Sequence, residues 1–209
     1  KRRTCIIPWL NSYKSFALGT DVKPYRLTTT FRLTKASAKL TASFYNNHFT
    51  SVQDENIDFS LCQSKYFPPK GGVLYCQTDD FIDGIASDSG LRIMADVIEN
   101  ISQHYPERPL AIITPFKDTV KVLQKSFITD SRSIEDLTIE TIDRIQGMTV
   151  DYAILYIPGR NPAFALEERR FNVATSRSRT TTLIISDYPI ENMHIPSTVR
   201  TFISHCKRL

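Results

Sequence analysis

The sequence predicts an α/β fold in which a parallel β-sheet is covered by helices on both faces. Short, almost wholly apolar runs recur at GVLYC (72–76), LAIITP (110–115), DYAILYIP (151–158) and TTLIIS (181–186). Strands buried on both faces read this way. Segments with three-to-four apolar spacing fall among them, at SGLRIMADVIENISQHY (89–105), FKDTVKVLQKSF (116–127) and LEERRFNVATSRS (166–178). Strands alternating with helices argue for a parallel sheet. With 209 residues, 41% of them apolar, the chain is long enough to bury such a core as one domain.

In chain order, residues up to about 60 show the weakest periodicity, apart from a predicted helix over TKASAKLTASFYNNHF (34–49). CQSKYFPPKGG (62–72) reads as a loop, because Pro-Pro and Gly-Gly interrupt regular structure. In the helix predicted over 89–105, Leu91, Met94, Val97, Ile98 and Ile101 share a face and Ser89 is placed to cap the start. LTIETID (137–143) alternates as a strand, and residues 188–209 read as a closing helix. Ligands of such sheets bind beyond the carboxyl ends of strands, which directs attention to the loops after Thr114, Thr141 and Ile157.

The bulk numbers exclude several classes. Net charge is +4, which permits nucleic-acid binding without arguing for it. Cys5, Cys62, Cys76 and Cys206 form no C-x-x-C pair, and the histidines do not join them at zinc-ligand spacing. No metal site and no disulfide framework are expected; the cysteines read as small buried residues in an intracellular, reducing compartment. No apolar stretch approaches about 18 residues, so no membrane span is expected. KRRTCIIPWL lacks the features of a signal peptide, and a start at Lys rather than Met suggests a piece of something longer.

There is no G-x-x-x-x-G-K-[ST] phosphate loop, no G-x-G-x-x-G and no nucleophile elbow. QDEN (53–56) and TDDFIDG (78–84) hold acids, but neither is read as following a buried strand. Three stretches remain: TTTFRLTKASAKLTASFYN (28–46), TIETIDRIQGMTVD (138–151) and RRFNVATSRSR (169–179). The last sets four arginines against an apolar strand. Arg177 is either aimed at an anion or caps the carboxyl end of the preceding helix, where positive charge is favourable anyway. Gln146-Gly147 is a tight turn that lets backbone approach a phosphate or ribose. Phe31 and Trp9 read as core residues.

TIDRIQG followed by RRFNVATSRSRTTTLIISD resembles motifs V and VI of superfamily 1 helicases. TTFR ahead of an amphipathic helix resembles motif IV, and AIITPFKDTVKVL resembles the strand and turn before motif V. The likeness runs over most of residues 25–187 and is greatest to the 5′-to-3′ translocating subgroup related to the nonsense-mediated-decay and replication helicases.

The resemblance implies a RecA-like fold of the P-loop NTPase type that lacks its own phosphate loop. The chain would be the second of two such domains, with residues 1–26 as the tail of the first and 188–209 as the closing helix. It implies ATP with magnesium, held mainly by the first domain, and single-stranded DNA or RNA as partner. On it, Arg177 is the arginine finger and Arg32 a second arginine on the γ-phosphate. Gly147, Gln146, Thr149 and Arg170 stand in the nucleotide-binding set, with Asn172 and Arg170 orienting the helix. Thr114, Thr141 and Asp143 fall where the family contacts the nucleic-acid backbone. The isolated domain would not hydrolyse ATP. Two departures stand out: Thr149 replaces a glutamate expected to contact ribose, and Thr30-Phe31-Arg32-Leu33 replaces Gln-Tyr-Arg-Met. They keep open a second reading, a degenerate domain serving as a binding scaffold.

Overall fold

The computed structural model describes residues 28–53, 58–78, 80, 84–128 and 136–209. Trp9, Cys5 and the tail expected over residues 1–26 lie outside these. A small parallel pair, β1 (Thr29–Thr30) and β2 (Thr50–Ser51), flanks helix α1 (Lys35–Thr41) and a 3-10 turn (Ala42–Tyr45). There follow β3 (Gly72–Gln77), α2 (Asp88–His104), β4 (Leu110–Thr114), α3 (Lys117–Phe127), β5 (Leu137–Thr141) and β6 (Val150–Ile157). The chain continues with α4 (Pro162–Ala165), α5 (Glu168–Thr175), β7 (Ser178–Ser186), a 3-10 turn (Ile190–Asn192), α6 (Ser197–Ser204) and β8 (Lys207–Arg208). The main sheet runs in the order β5-β4-β6-β7-β3-β8, and every neighbouring pair is parallel.

Alternation along the strands divides the core in two. Leu74, Ile112, Ile154, Leu183 and Ile185 point to one face, where Met94, Val97 and Ile101 of α2 and Leu123 of α3 cover them. Val73, Ile113, Leu155 and Ile184 point to the other, under Phe171 and Ala174 of α5 and Val199 and Phe202 of α6. Burying each such aliphatic side chain contributes about 1.5–3 kcal/mol. All eight residues of β6 are buried, as befits the strand between β4 and β7.

The structure corrects several expected boundaries. The helix of 34–49 stops at Thr41, tightens to a 3-10 turn and ends on Asn46 in the left-handed region, φ 53°. The cap of α2 is Ser87, not Ser89: the Ser87 hydroxyl accepts from the Gly90 N–H at 2.8 Å. The helix of 166–178 is shorter than expected, because Glu167 caps the amides of Arg169 and Arg170 and so starts it at Glu168, and it ends at Thr175 before β7 opens at Ser178. Residues 188–209 hold helix α6 and also an edge strand, β8, on β3. TDDFIDG does follow a buried strand, β3, so Thr78 and Asp80 lie beyond its carboxyl end. Cys62, Cys76 and Cys206 are buried, and none of them is in a disulfide among the described residues. Among the described residues, no helix is long and apolar enough to cross a membrane. Gly71, at φ +62°, lies so near β7 that a Cβ would sit 2.4 Å from the Thr180 carbonyl oxygen.

A buried carboxylate ties the carboxyl ends of the strands together. Asp187 follows β7 and accepts from Thr78 Oγ1 at 3.0 Å, from Ser87 Oγ at 2.7 Å and from the Tyr156 hydroxyl. Burial raises the Asp187 pKa despite the hydrogen bonds that oppose the rise. The folded state therefore holds this proton more tightly than the unfolded chain does. Its contribution is complete below the ordinary aspartate pKa of about 3.9 and is lost as pH climbs through the raised value. Urea unfolding of wild type and Asp187→Asn between about pH 4 and pH 7 checks this. The wild-type advantage should shrink as pH rises, and a pH-independent difference would contradict the assignment.

Candidate functional site

Two of the expected arginines meet, although they come from segments far apart in sequence. The Arg32 Nη1 donates to the Ser176 carbonyl at 3.1 Å. Ser176 is the turn between α5 and Arg177. The Arg177 Nε donates to the Val173 carbonyl at 2.7 Å, and its Nη2 donates to Ser176 Oγ at 3.0 Å. Arg177 thus caps the carboxyl end of α5, as the blander expectation held, but it is buried, at 9% exposure. Neither arginine is ion-paired with a carboxylate among the described residues.

Magnitudes decide what the cap explains. A cation at a helix carboxyl end contributes typically about 0.3–1 kcal/mol. Withdrawing a guanidinium from water without a counter-charge costs several kcal/mol. The cap alone does not account for placing Arg177 here. Burial, and then the charge of Arg32, lower the Arg177 pKa to about 10. Arg32 is lowered by burial and by Arg179. Arg177 therefore stays charged at neutral pH, with its Nη1 edge lacking an acceptor among the described residues. Two half-desolvated cations on one serine, without a carboxylate among the described residues, are an arrangement that can accept an anion, and the planar guanidinium matches phosphate geometry.

The Gln146-Gly147 loop arrives at the same end of the sheet. The Val150 N–H donates to the Arg177 carbonyl at 3.1 Å, which joins the end of this loop to the arginine segment. Gly147 has φ +93°, and a Cβ there would meet nothing within 4 Å. Glycine is needed for the backbone conformation and not for space. Gln146 is exposed and Thr149 half-buried. This cluster sits at the amino ends of β6 and β7, away from the carboxyl-end loops where a parallel sheet directs the search.

The residues expected on nucleic acid fall at the other end. Thr114 and Thr141 are register partners at the carboxyl ends of β4 and β5. Thr114 is fully buried, and its hydroxyl has no partner among the described residues. Thr141 is buried too. Asp143 is exposed and lies 3.8 Å from Arg170 Nε. Arg170 also pairs with Glu167 at 3.5 Å and lies over the Phe164 ring at 4.1 Å. The structure therefore sets Arg170 with Asp143 and apart from the Arg32–Arg177 pair. Asn172 donates to the Tyr45 hydroxyl at 3.3 Å, which fastens α5 to the turn after α1.

Two features escaped the sequence reading. Phe31, expected in the core, is 81% exposed beside Arg32. A phenylalanine between polar neighbours, in the bend just after a two-residue strand, carries no periodicity that tells inside from outside. Asp151 is buried and accepts from Arg108 at 3.3 Å and Arg179 at 3.2 Å. An acid opening an otherwise apolar strand was the available signal, since buried carboxylates are paired.

Comparison with known proteins gives the chain its family and its fold. A family model described as an AAA domain matches residues 12–189. The chain is similar to the DNA polymerase alpha-associated DNA helicase A of Saccharomyces cerevisiae, with 31% identity over 109 residues. That alignment covers 50% of this chain and 16% of the yeast protein, so the chain spans a small part of that relative's length. Among solved structures, the C-terminal domain of a possible DNA helicase from Lactobacillus plantarum WCFS1 superposes with a TM-score of 0.52 at 11% identity. The match covers 86% of this chain and 98% of that one. At that identity the likeness concerns the fold, which is RecA-like.

Gly147→Ala should cost about 1–3 kcal/mol in unfolding free energy, all of it from a backbone forced to positive φ. Chemical denaturation measures it; a neutral substitution would show that the turn relaxes freely.

Proposed function

The chain belongs to the AAA domain family, and from that premise we propose that it is the second RecA-like domain of an ATP-dependent DNA or RNA helicase or translocase. One observation carries this reading: two arginines from distant segments converge on Ser176 with no carboxylate to neutralise them among the described residues. Such a site is half of something. ATP as substrate, with magnesium, would be held mainly by a first domain that carries the phosphate loop absent from this sequence. This domain would close upon it.

In this mechanism Arg177 meets the charge that spreads over the transferred phosphoryl oxygens, and Arg32 supports it. Stabilisation of that charge by an arginine from a facing domain accelerates the reaction and makes it depend on closure. The guanidinium is already desolvated and fixed by the helix cap, so little reorganisation is required of it. Gly147 and Gln146 would lie against the ribose and phosphates, with Thr149 contributing a hydroxyl where a longer acid is usual. Phe31 offers an exposed ring beside Arg32, suited to stacking on the base. Asp143 would lie beside a single nucleic-acid strand passing over the carboxyl ends of β4 and β5, where contacts position a strand without reading its sequence; Thr114 and Thr141 are buried beneath it and out of its direct reach. Arg170, held on Asp143 at one end of α5, would link that track to Arg177 at the other. The domain alone would be inactive.

The helix cap made by Arg177 supports the rival reading, a scaffold without turnover, and one experiment separates them. In the complete protein, Arg177→Ala should lower single-strand-stimulated ATP hydrolysis by about 10³-fold or more, with strand binding little changed. Equal rates would leave Arg177 a structural cap and favour the scaffold. Phe31→Ala should raise the KM for ATP several-fold, about 1 kcal/mol of lost stacking, while Phe31→Tyr should not. An unchanged KM in Phe31→Ala would remove the ring from the nucleotide site.

A further inference from the structure

The pairing of β6 with β7 is regular except at one place. Val150 stands opposite Ser178 and Tyr152 opposite Thr181, so Arg179 and Thr180 of β7 share the single residue Asp151 of β6. This is a β-bulge, a device that re-aims a side chain and is found often beside active sites. Its effect here is specific. Ser178, Thr180 and Thr181 are all buried, and Arg179 alone among them is exposed. The irregularity has a cost, because the Thr180 hydroxyl is left buried and unpartnered among the described residues.

Asp151 then fixes where the freed side chain goes. Its carboxylate is almost wholly enclosed, with 2% of the side chain exposed, and one oxygen takes Arg108 while the other takes Arg179. One arginine would balance the acid. The second leaves an excess positive charge, and Arg179 carries it with half of its side chain in solvent. Arg177 and Arg179 flank the inward-facing Ser178, so both guanidinium groups belong to the same end of the sheet. The charge of Arg179 is felt at Arg32, and that of Arg32 at Arg177.

We propose that Arg179 is a third phosphate-contacting residue of the arginine site and that Asp151 is the positioning residue that holds it there. The inference rests on the reading of that site as the nucleotide-phosphate half of an ATP-hydrolysing pair of domains. Its ligand is the polyphosphate of a nucleoside triphosphate. Arg179 is held by an ion pair at a half-exposed position, free of the helix-capping duty that Arg177 performs. Its contribution is to binding more than to the transferring charge.

The test is single-strand-stimulated ATP hydrolysis by the complete protein, with KM and kcat separated, for Arg179→Ala, Arg179→Lys, Asp151→Asn and the double variant Asp151→Asn/Arg179→Ala, beside Arg177→Ala. Arg179→Ala should raise KM about tenfold, the scale of one charge-assisted hydrogen bond, with kcat within about twofold. Arg179→Lys should recover part of the loss, since charge remains but the planar fork does not. Asp151→Asn, nearly isosteric, should shift KM in the same direction, and the double variant should be no worse than Arg179→Ala, because both changes act through one side chain. An unchanged KM in Arg179→Ala overturns the proposal, as does a double variant in which the two effects add. If Asp151→Asn fails to fold, the two Arg179 variants decide alone. If Arg177→Ala is also without effect, or the wild type does not hydrolyse ATP, the underlying site reading fails and this inference with it. Loss in Arg177→Ala with none in Arg179→Ala leaves that reading intact and rejects only the third arginine.

Discussion

The ladder between β6 and β7 runs from Val150 opposite Ser178 to Ile157 opposite Ser186, and the features that could carry function hang from its two ends. At the carboxyl end the Asp187 N–H donates to the Ile157 carbonyl at 3.0 Å, which plants that carboxylate among the Thr78, Ser87 and Tyr156 hydroxyls. At the amino end the Val150 N–H holds the Arg177 carbonyl. Both strands are enclosed between α2 and α3 on one side and α5 and α6 on the other. A dense interior transmits displacement and does not absorb it. The arginine end and the carboxyl-end loops are thus parts of one stiff element.

That stiffness explains how like charges can be assembled. Arg32, Arg177 and Arg179 gather where only Arg179 has a carboxylate among the described residues, and mutual repulsion would disperse three mobile surface side chains. Here the Val173 carbonyl fixes Arg177, the Ser176 carbonyl fixes Arg32 and Asp151 fixes Arg179. The anchors are backbone atoms of α5 and its following turn, together with a buried acid of β6. Their positions are set by the hydrophobic packing of Phe171, Ala174 and the strands beneath. The free energy that holds the charges together comes from the core and not from the charges.

The sheet was legible in the sequence because doubly covered strands leave little room for anything but apolar residues. β3, β4, β6 and β7 fall within a few residues of their expected limits for that reason. What was not legible depended on contacts between distant segments. The bulge at Arg179 and Thr180 exists only in relation to β6, and no pattern within β7 announces it. Ser87 rather than Ser89 caps α2 because the Ser87 hydroxyl also serves Asp187, a hundred residues on. The convergence of Arg32 on Ser176 crosses most of the chain. Phe31 was misjudged since hydrophobicity alone does not say whether a ring in the bend after a two-residue strand is packed or offered.

An arginine site that stays charged has one further consequence. A buried lysine or histidine in such company could shed its proton and end the repulsion, whereas Arg177, even lowered to about 10, cannot do so near neutral pH. The strain among the guanidinium groups is relieved only by an anion from outside. Anything that brings a polyphosphate to this surface therefore gains twice, from the new hydrogen bonds and from the repulsion removed. Since a ligand can shift a conformational equilibrium only by its differential affinity, on the proposed reading this relief would belong to the closed arrangement alone and would favour closure while the phosphates remain. On the same reading, their departure would restore the repulsion and the same arginines would favour separation.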